Sequence, residues 1–117
     1  MRLEDRLWND ILGIAKKGYI VSNFKGKADS KVVAIESDKI YFQVQSNNTI
    51  TFISKEIFSN ILNKLLDIGA IRQAEAGKDP RISLGVLVLL PYFTSEQRNG
   101  TKYLIWTPSG KEEFLNR

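Results

Sequence analysis

The chain carries no histidine and no cysteine, which removes the side chains that most often serve as general base, metal ligand or thiol nucleophile. A Ser-His-Asp triad, a zinc finger, a thiol enzyme and a disulfide scaffold are all excluded within it. Chemistry must then rest on carboxylates, lysine, tyrosine or serine. Metal-dependent nucleases often hold Mg²⁺ with an Asp and a second acid followed two residues later by Lys; the acids bind the ion and the ammonium stabilises developing negative charge. Asp29-Ser30-Lys31 and Glu36-Ser37-Asp38-Lys39 are the nearest approximations. The first has no acid suitably placed upstream on a strand, and the second has the wrong spacing and falls on an expected turn. Lys25-Gly26-Lys27 likewise lacks the glycine spacing and the strand-to-helix setting of a phosphate-gripping loop. A nuclease built on Asp29, Glu36 or Asp38 is therefore the most distant reading, solvated turn residues are the plain one, and neither a metal nor a cofactor is expected.

Charge says more. Basic residues outnumber acidic ones by 17 to 13, and the excess is local. No acid occurs between Asp10 and Asp29, where Lys16, Lys17, Lys25 and Lys27 supply the whole net charge of +4. Tyr19 and Phe24 lie among them. Cations for phosphates and rings for stacking are the components of a surface that follows a nucleic-acid backbone, although both rings can equally be core residues and the lysines a solvated face. Lysine is a point charge on a flexible stem, suited to non-specific phosphate contact, whereas base readout uses the Arg fork or Asn and Gln amides. Arg98 and Lys102 flank a second candidate, the Asn99-Gly100 turn, with Arg72, Lys78 and Arg81 upstream. Its basic tip becomes a DNA-contacting wing if it projects beside a helix.

The elements that must position these groups follow from periodicity. Leu3, Leu7, Ile11 and Ile14, with Trp8, Leu12 and Ala15, recur at three- and four-residue spacing and predict a helix over 2–17 that ends at Gly18. Ile40, Phe42 and Val44 then alternate with Tyr41, Gln43 and Gln45, and Ile50 and Phe52 with Thr49 and Thr51. Strands at 19–24, 31–36, 39–45 and 49–53 result, forming an antiparallel meander with one buried and one wet face. Ser54 caps an amphipathic helix over 55–68, closed by Gly69. Asp79-Pro80 favours a buried helix over 80–90, but the Val- and Leu-rich run Ile82 to Leu90 suits a buried strand too, and periodicity does not separate the two. Asn99-Gly100 predicts a hairpin of 92–97 with 101–106, in which Tyr103 and Trp106 either pack or form an exposed strip, and Lys111 to Leu115 close the chain as a helical turn. The expected fold is one α+β domain over 1–117: an N-terminal helix, a four-stranded antiparallel meander, a central amphipathic helix, a C-terminal hairpin and a short helix. The longest apolar run is far below the roughly 20 residues of a membrane span, and the mixed-charge start is unlike a secretory leader, so a cytoplasmic setting is expected.

Two segments carry a resemblance. Residues 54–72, with the core Ile61-Leu62-Asn63-Lys64-Leu65-Leu66-Asp67-Ile68-Gly69-Ala70-Ile71-Arg72, resemble the helix-then-strand portion of winged-helix DNA-binding domains. Tyr103-Leu104-Ile105-Trp106-Thr107-Pro108-Ser109-Gly110-Lys111 is similar to the final wing strand and following helix of bacterial winged-helix regulators. Together they span under a third of the chain, and 19–53 departs from the family by reading as strands where it places helices. The order of meander, Ser-capped helix and apolar segment also resembles small accessory modules of bacterial restriction-type proteins. The resemblance implies DNA as partner. The expected function is a non-catalytic bacterial or phage-type module that binds nucleic acid, DNA favoured, through Lys16, Lys17, Lys25 and Lys27 with Arg98 and Lys102 secondary. The rival is a protein-interaction or homo-oligomerisation module using Trp8, the apolar 82–90 segment and the aromatic hairpin.

Overall fold

The first helix, α1 (Leu3–Lys16), turns Leu7, Trp8, Ile11 and Ala15 inward, with Glu4 and Asp5 in its first turn and Lys16 in its last. That charge order suits the helix dipole. The structure is a computed structural model and describes residues 2–25 and 28–116; Lys27 lies outside them. After Gly18, at φ 71°, the chain enters an antiparallel meander of β1 (Ile20–Ser22), β2 (Asp29–Ile35), β3 (Lys39–Val44) and β4 (Ile50–Ser54), adjacent in chain order. Its inner face buries Val21, Ile40, Phe42 and Ile53.

One face assignment changes. Alternation from Ile50 predicts that Phe52 points inward, but pairing with β3 sets Ile53 opposite Ile40 and Phe52 opposite Tyr41. Ile53 is fully buried, whereas Ile50 is 62% exposed and Phe52 half-buried. A strand's side chains alternate strictly, so the partner strand fixes which set faces the core. Here Ile40 on β3 selects Ile53.

Helix α2 (Lys55–Asp67) starts where the Ser54 hydroxyl accepts from the Ile57 N–H, and buries Phe58, Ile61, Leu62 and Leu65. Glu4 and Asp5 tie α1 to it: the Ser59 hydroxyl donates to Glu4 at 2.6 Å, and the Lys55 ammonium pairs with Asp5. Each bond favours the charged carboxylate and holds it below the usual carboxylate range. Beyond α2 come β5 (Ala70–Arg72), a short 3₁₀ turn (Gln73–Glu75), α3 (Pro80–Val88), the hairpin β6 (Phe93–Arg98) with β7 (Thr101–Trp106), and α4 (Gly110–Leu115). Asn99 and Gly100 both take positive φ, 51° and 80°, the requirement of the tightest hairpin turn. The second sheet has the order β5-β7-β6. The fold is α+β.

The ambiguous segment is a helix, and its burial explains the ambiguity. Every residue from Ile82 to Leu87 is buried, so α3 shows no polar stripe. β1 lies on it: the Phe24 N–H donates to the Arg81 carbonyl at 2.8 Å. At Gly85 an added Cβ would sit 2.4 Å from the Ser22 carbonyl oxygen and 3.1 Å from Val21 Cγ1. Only glycine admits a strand backbone this close. Trp8 and Trp106 join the same construction, donating their indole N–H groups to the Ser37 and Leu65 carbonyls at 3.1 and 2.9 Å; a buried indole needs such a partner. One contiguous buried cluster includes Val21 and Phe42 of the meander, Ile61 of α2, Leu84 of α3, Leu104 of β7 and Phe114 of α4.

Candidate nucleic-acid interface

The acid-free segment is divided by α3. Lys16 and Lys17 are exposed at the end of α1. Lys17 and Tyr19 line a groove of about 530 Å³ with Asp10, Leu89, Pro91 and Tyr92, next to the C-terminal end of α3. There the Tyr92 hydroxyl donates to Asp10 at 3.0 Å. β1 then runs back along α3, so Phe24 reaches Arg81 at the helix start. From Arg81 to Leu89 the helical rise is about 12 Å, which separates Lys17 from Lys25. Lys16 and Lys17 therefore do not share one patch with Lys25.

Lys25 instead joins the hairpin. The Lys102 ammonium donates to the Phe24 carbonyl at 2.5 Å and lies 4.7 Å from the centre of the Phe24 ring. Phe24 is 3% exposed, so it is a core residue and offers no face to a base. Exposed Lys25 follows it directly and Arg81 is exposed beside it. An ammonium has three donors, and the Phe24 carbonyl takes one. Arg98, at the end of β6, pairs with Glu96 at 2.6 Å with both side chains about half exposed. Such an exposed pair contributes about 0–1 kcal/mol and exchanges partners readily. Lys25, Arg81 and Lys102 thus gather as a basic ridge around Phe24 at the start of α3; Arg98, with Glu96 and Tyr103, stands on the opposite face of the hairpin from Lys102. The sequence places Arg81 only upstream of the hairpin; its position beside Phe24 depends on the fold bringing the chain after β1 to α3.

Other expectations are redistributed. Tyr19 is 46% exposed, a ring available beside Lys17. Asp29 begins β2 and Glu36 follows its end, seven residues and roughly 24 Å apart along an extended strand, so the three nuclease-candidate carboxylates do not converge. Hydrogen bonding toward Glu36, together with burial and the negative charges of Glu36 and Asp38, pushes the Tyr41 phenol above its usual value. Among the described residues no group of three or more acids is placed to hold a metal ion, and no helix is long and apolar enough to cross a membrane. Much of the apolar surface expected of Trp8 and the 82–90 segment is interior: Trp8 is 4% exposed, and residues 82–87 and Leu90 are buried. Val88 and Leu89 alone remain exposed at the end of that helix.

The sequence reading also missed the outer face of the meander. Tyr41 and Phe52 stand side by side there, ring centres 5.8 Å apart, with Lys39 and Lys78 ammonium groups 5.0 and 3.7 Å from the Phe52 centre. The signal available in the sequence was Lys39-Ile40-Tyr41-Phe42-Gln43, whose outward set is Lys, Tyr and Gln. Compared with family models, curated proteins and solved structures, the chain finds no match.

Proposed function

We propose that the chain is a non-catalytic nucleic-acid-binding module, DNA favoured, whose basic ridge holds phosphates through Lys25 and Lys102, with Lys27 two positions beyond Lys25 in sequence and Arg98 a secondary contact on the other face of the hairpin. Lys16 and Lys17 make a separate contact at the far end of α3. The observation that carries the reading is the Lys102 bond to Phe24, which joins the acid-free segment to a hairpin ending in a tight Asn-Gly turn. Support also comes from the β5-β7-β6 order behind that hairpin, compatible with the winged-helix resemblance. A winged-helix domain reads bases with an exposed helix. Here α3 is apolar and covered by β1, so the reading is limited to phosphate contact with little sequence preference. Titrating a labelled DNA duplex at falling salt tests it: affinity should rise steeply, as counterion release requires, and absence of binding at the lowest salt overturns it.

A further inference from the structure

The wet face of the meander carries a second arrangement that the ridge does not use. Cross-strand pairing puts Ile20, Lys31, Gln43 and Ile50 in one row and Ala34, Tyr41 and Phe52 in the next, with Lys39 beyond. Ile20 and Ile50 are largely exposed and Tyr41 and Phe52 half-exposed. β2 bulges between Val32 and Ala34, so the residue opposite Tyr41 presents only a methyl group. Three lysines surround the two rings: Lys39 and Lys78 against Phe52, and Lys31 on the row beyond Tyr41. From Lys39 to the Gln43 row is about 14 Å along β3, enough for more than one nucleotide.

We propose that this face is a stacking platform for single-stranded nucleic acid, with bases on Tyr41 and Phe52, phosphates on Lys31, Lys39 and Lys78, and Gln43 within reach of base edges. Paired rings framed by cations on an open sheet fit that ligand because each base has a π-face and each linkage a negative charge. An ammonium over a ring gives way to a base, since stacking is the stronger contact and the displaced cation gains a phosphate. Glu36 and Asp38, at the β2–β3 turn, repel phosphates and direct the strand toward Lys31. No residue is shared with the Lys25–Lys102 ridge.

The test is anisotropy titration of labelled oligo-thymidine and oligo-uridine of about 12 nucleotides, within the range covered by small sheet modules. Wild type should bind one or both at low salt. Tyr41→Leu and Phe52→Leu should each weaken binding about tenfold, in line with loss of one stacked base. Lys39→Glu with Lys78→Glu should weaken it and flatten its salt dependence more than Lys25→Ala with Lys102→Met does, which separates this platform from the ridge. No binding of either oligonucleotide, or unchanged affinity in folded Leu variants, overturns the proposal. Should a Leu variant fail to fold, ultraviolet cross-linking of the wild type decides: adducts on Tyr41 or Phe52 support the platform, and adducts confined elsewhere overturn it.

Discussion

Replacing Gly85 with alanine puts a methyl carbon 2.4 Å from the Ser22 carbonyl oxygen. Ordinary contact begins near 3.4 Å, so β1 must retreat by about 1 Å. Overpacking of this kind costs about 1–3 kcal/mol, and loss of the Phe24–Arg81 hydrogen bond that anchors β1 costs about 1 kcal/mol more. Alanine returns about 1 kcal/mol of helix propensity, leaving a net loss of about 1–3 kcal/mol. With an unfolding entropy of about 0.25 kcal/mol/K for a chain of this size, Tm should fall by about 4–12 °C. Thermal unfolding followed by circular dichroism, with urea titration as a second measure, reads this directly. A Tm equal to or above wild type, as propensity alone would give, refutes the close seating of β1 on α3 and with it the geometry that places Lys25 beside Lys102.

Gly13 is the counterpart, since nothing lies within 4 Å of an added Cβ there; Gly13→Ala should raise stability by up to about 1 kcal/mol, and a loss would show that α1 is seated differently. The pH response follows from Glu4 and Asp5. Their folded values are depressed by Ser59 and Lys55 respectively, so the stabilisation is complete above the ordinary carboxylate range near pH 4 and is lost as pH falls through the folded values. Carboxyl titration by NMR should show both groups shifting upward in a Ser59→Ala, Lys55→Met variant, whose Tm should also drop less between about pH 5 and pH 3 than that of wild type; identical profiles would contradict the α1–α2 tie.

What the sequence displayed and what it concealed divide along locality. Ser54 capping α2, Gly69 closing it and Asn99-Gly100 turning the hairpin are decided by neighbours within a few residues, and each element appears where those signals place it. The covered helix α3 was ambiguous because packing on both sides erases the polar stripe that distinguishes helix from strand. Phe52 was misplaced because the phase of β4 is chosen by Ile40 across the sheet and not by β4 itself. The basic segment was visible as charge. Its division by α3, and the attachment of one half to Lys102 across 78 positions, exist only in the folded chain. The exposed pair of Tyr41 and Phe52 stayed hidden for the same reason.

The central claim, a phosphate-binding ridge at the hairpin, meets its most direct test in the salt dependence of duplex binding by wild type and by a Lys25→Ala, Lys27→Ala, Lys102→Met variant. Each phosphate contact on duplex DNA contributes about 0.9 to the slope of log K against log salt. The variant should therefore bind more weakly and lose up to about 2.7 of that slope, with its unfolding transition retained. Duplex affinity that is absent at the lowest salt, or a slope identical in the folded variant and wild type, would contradict the account.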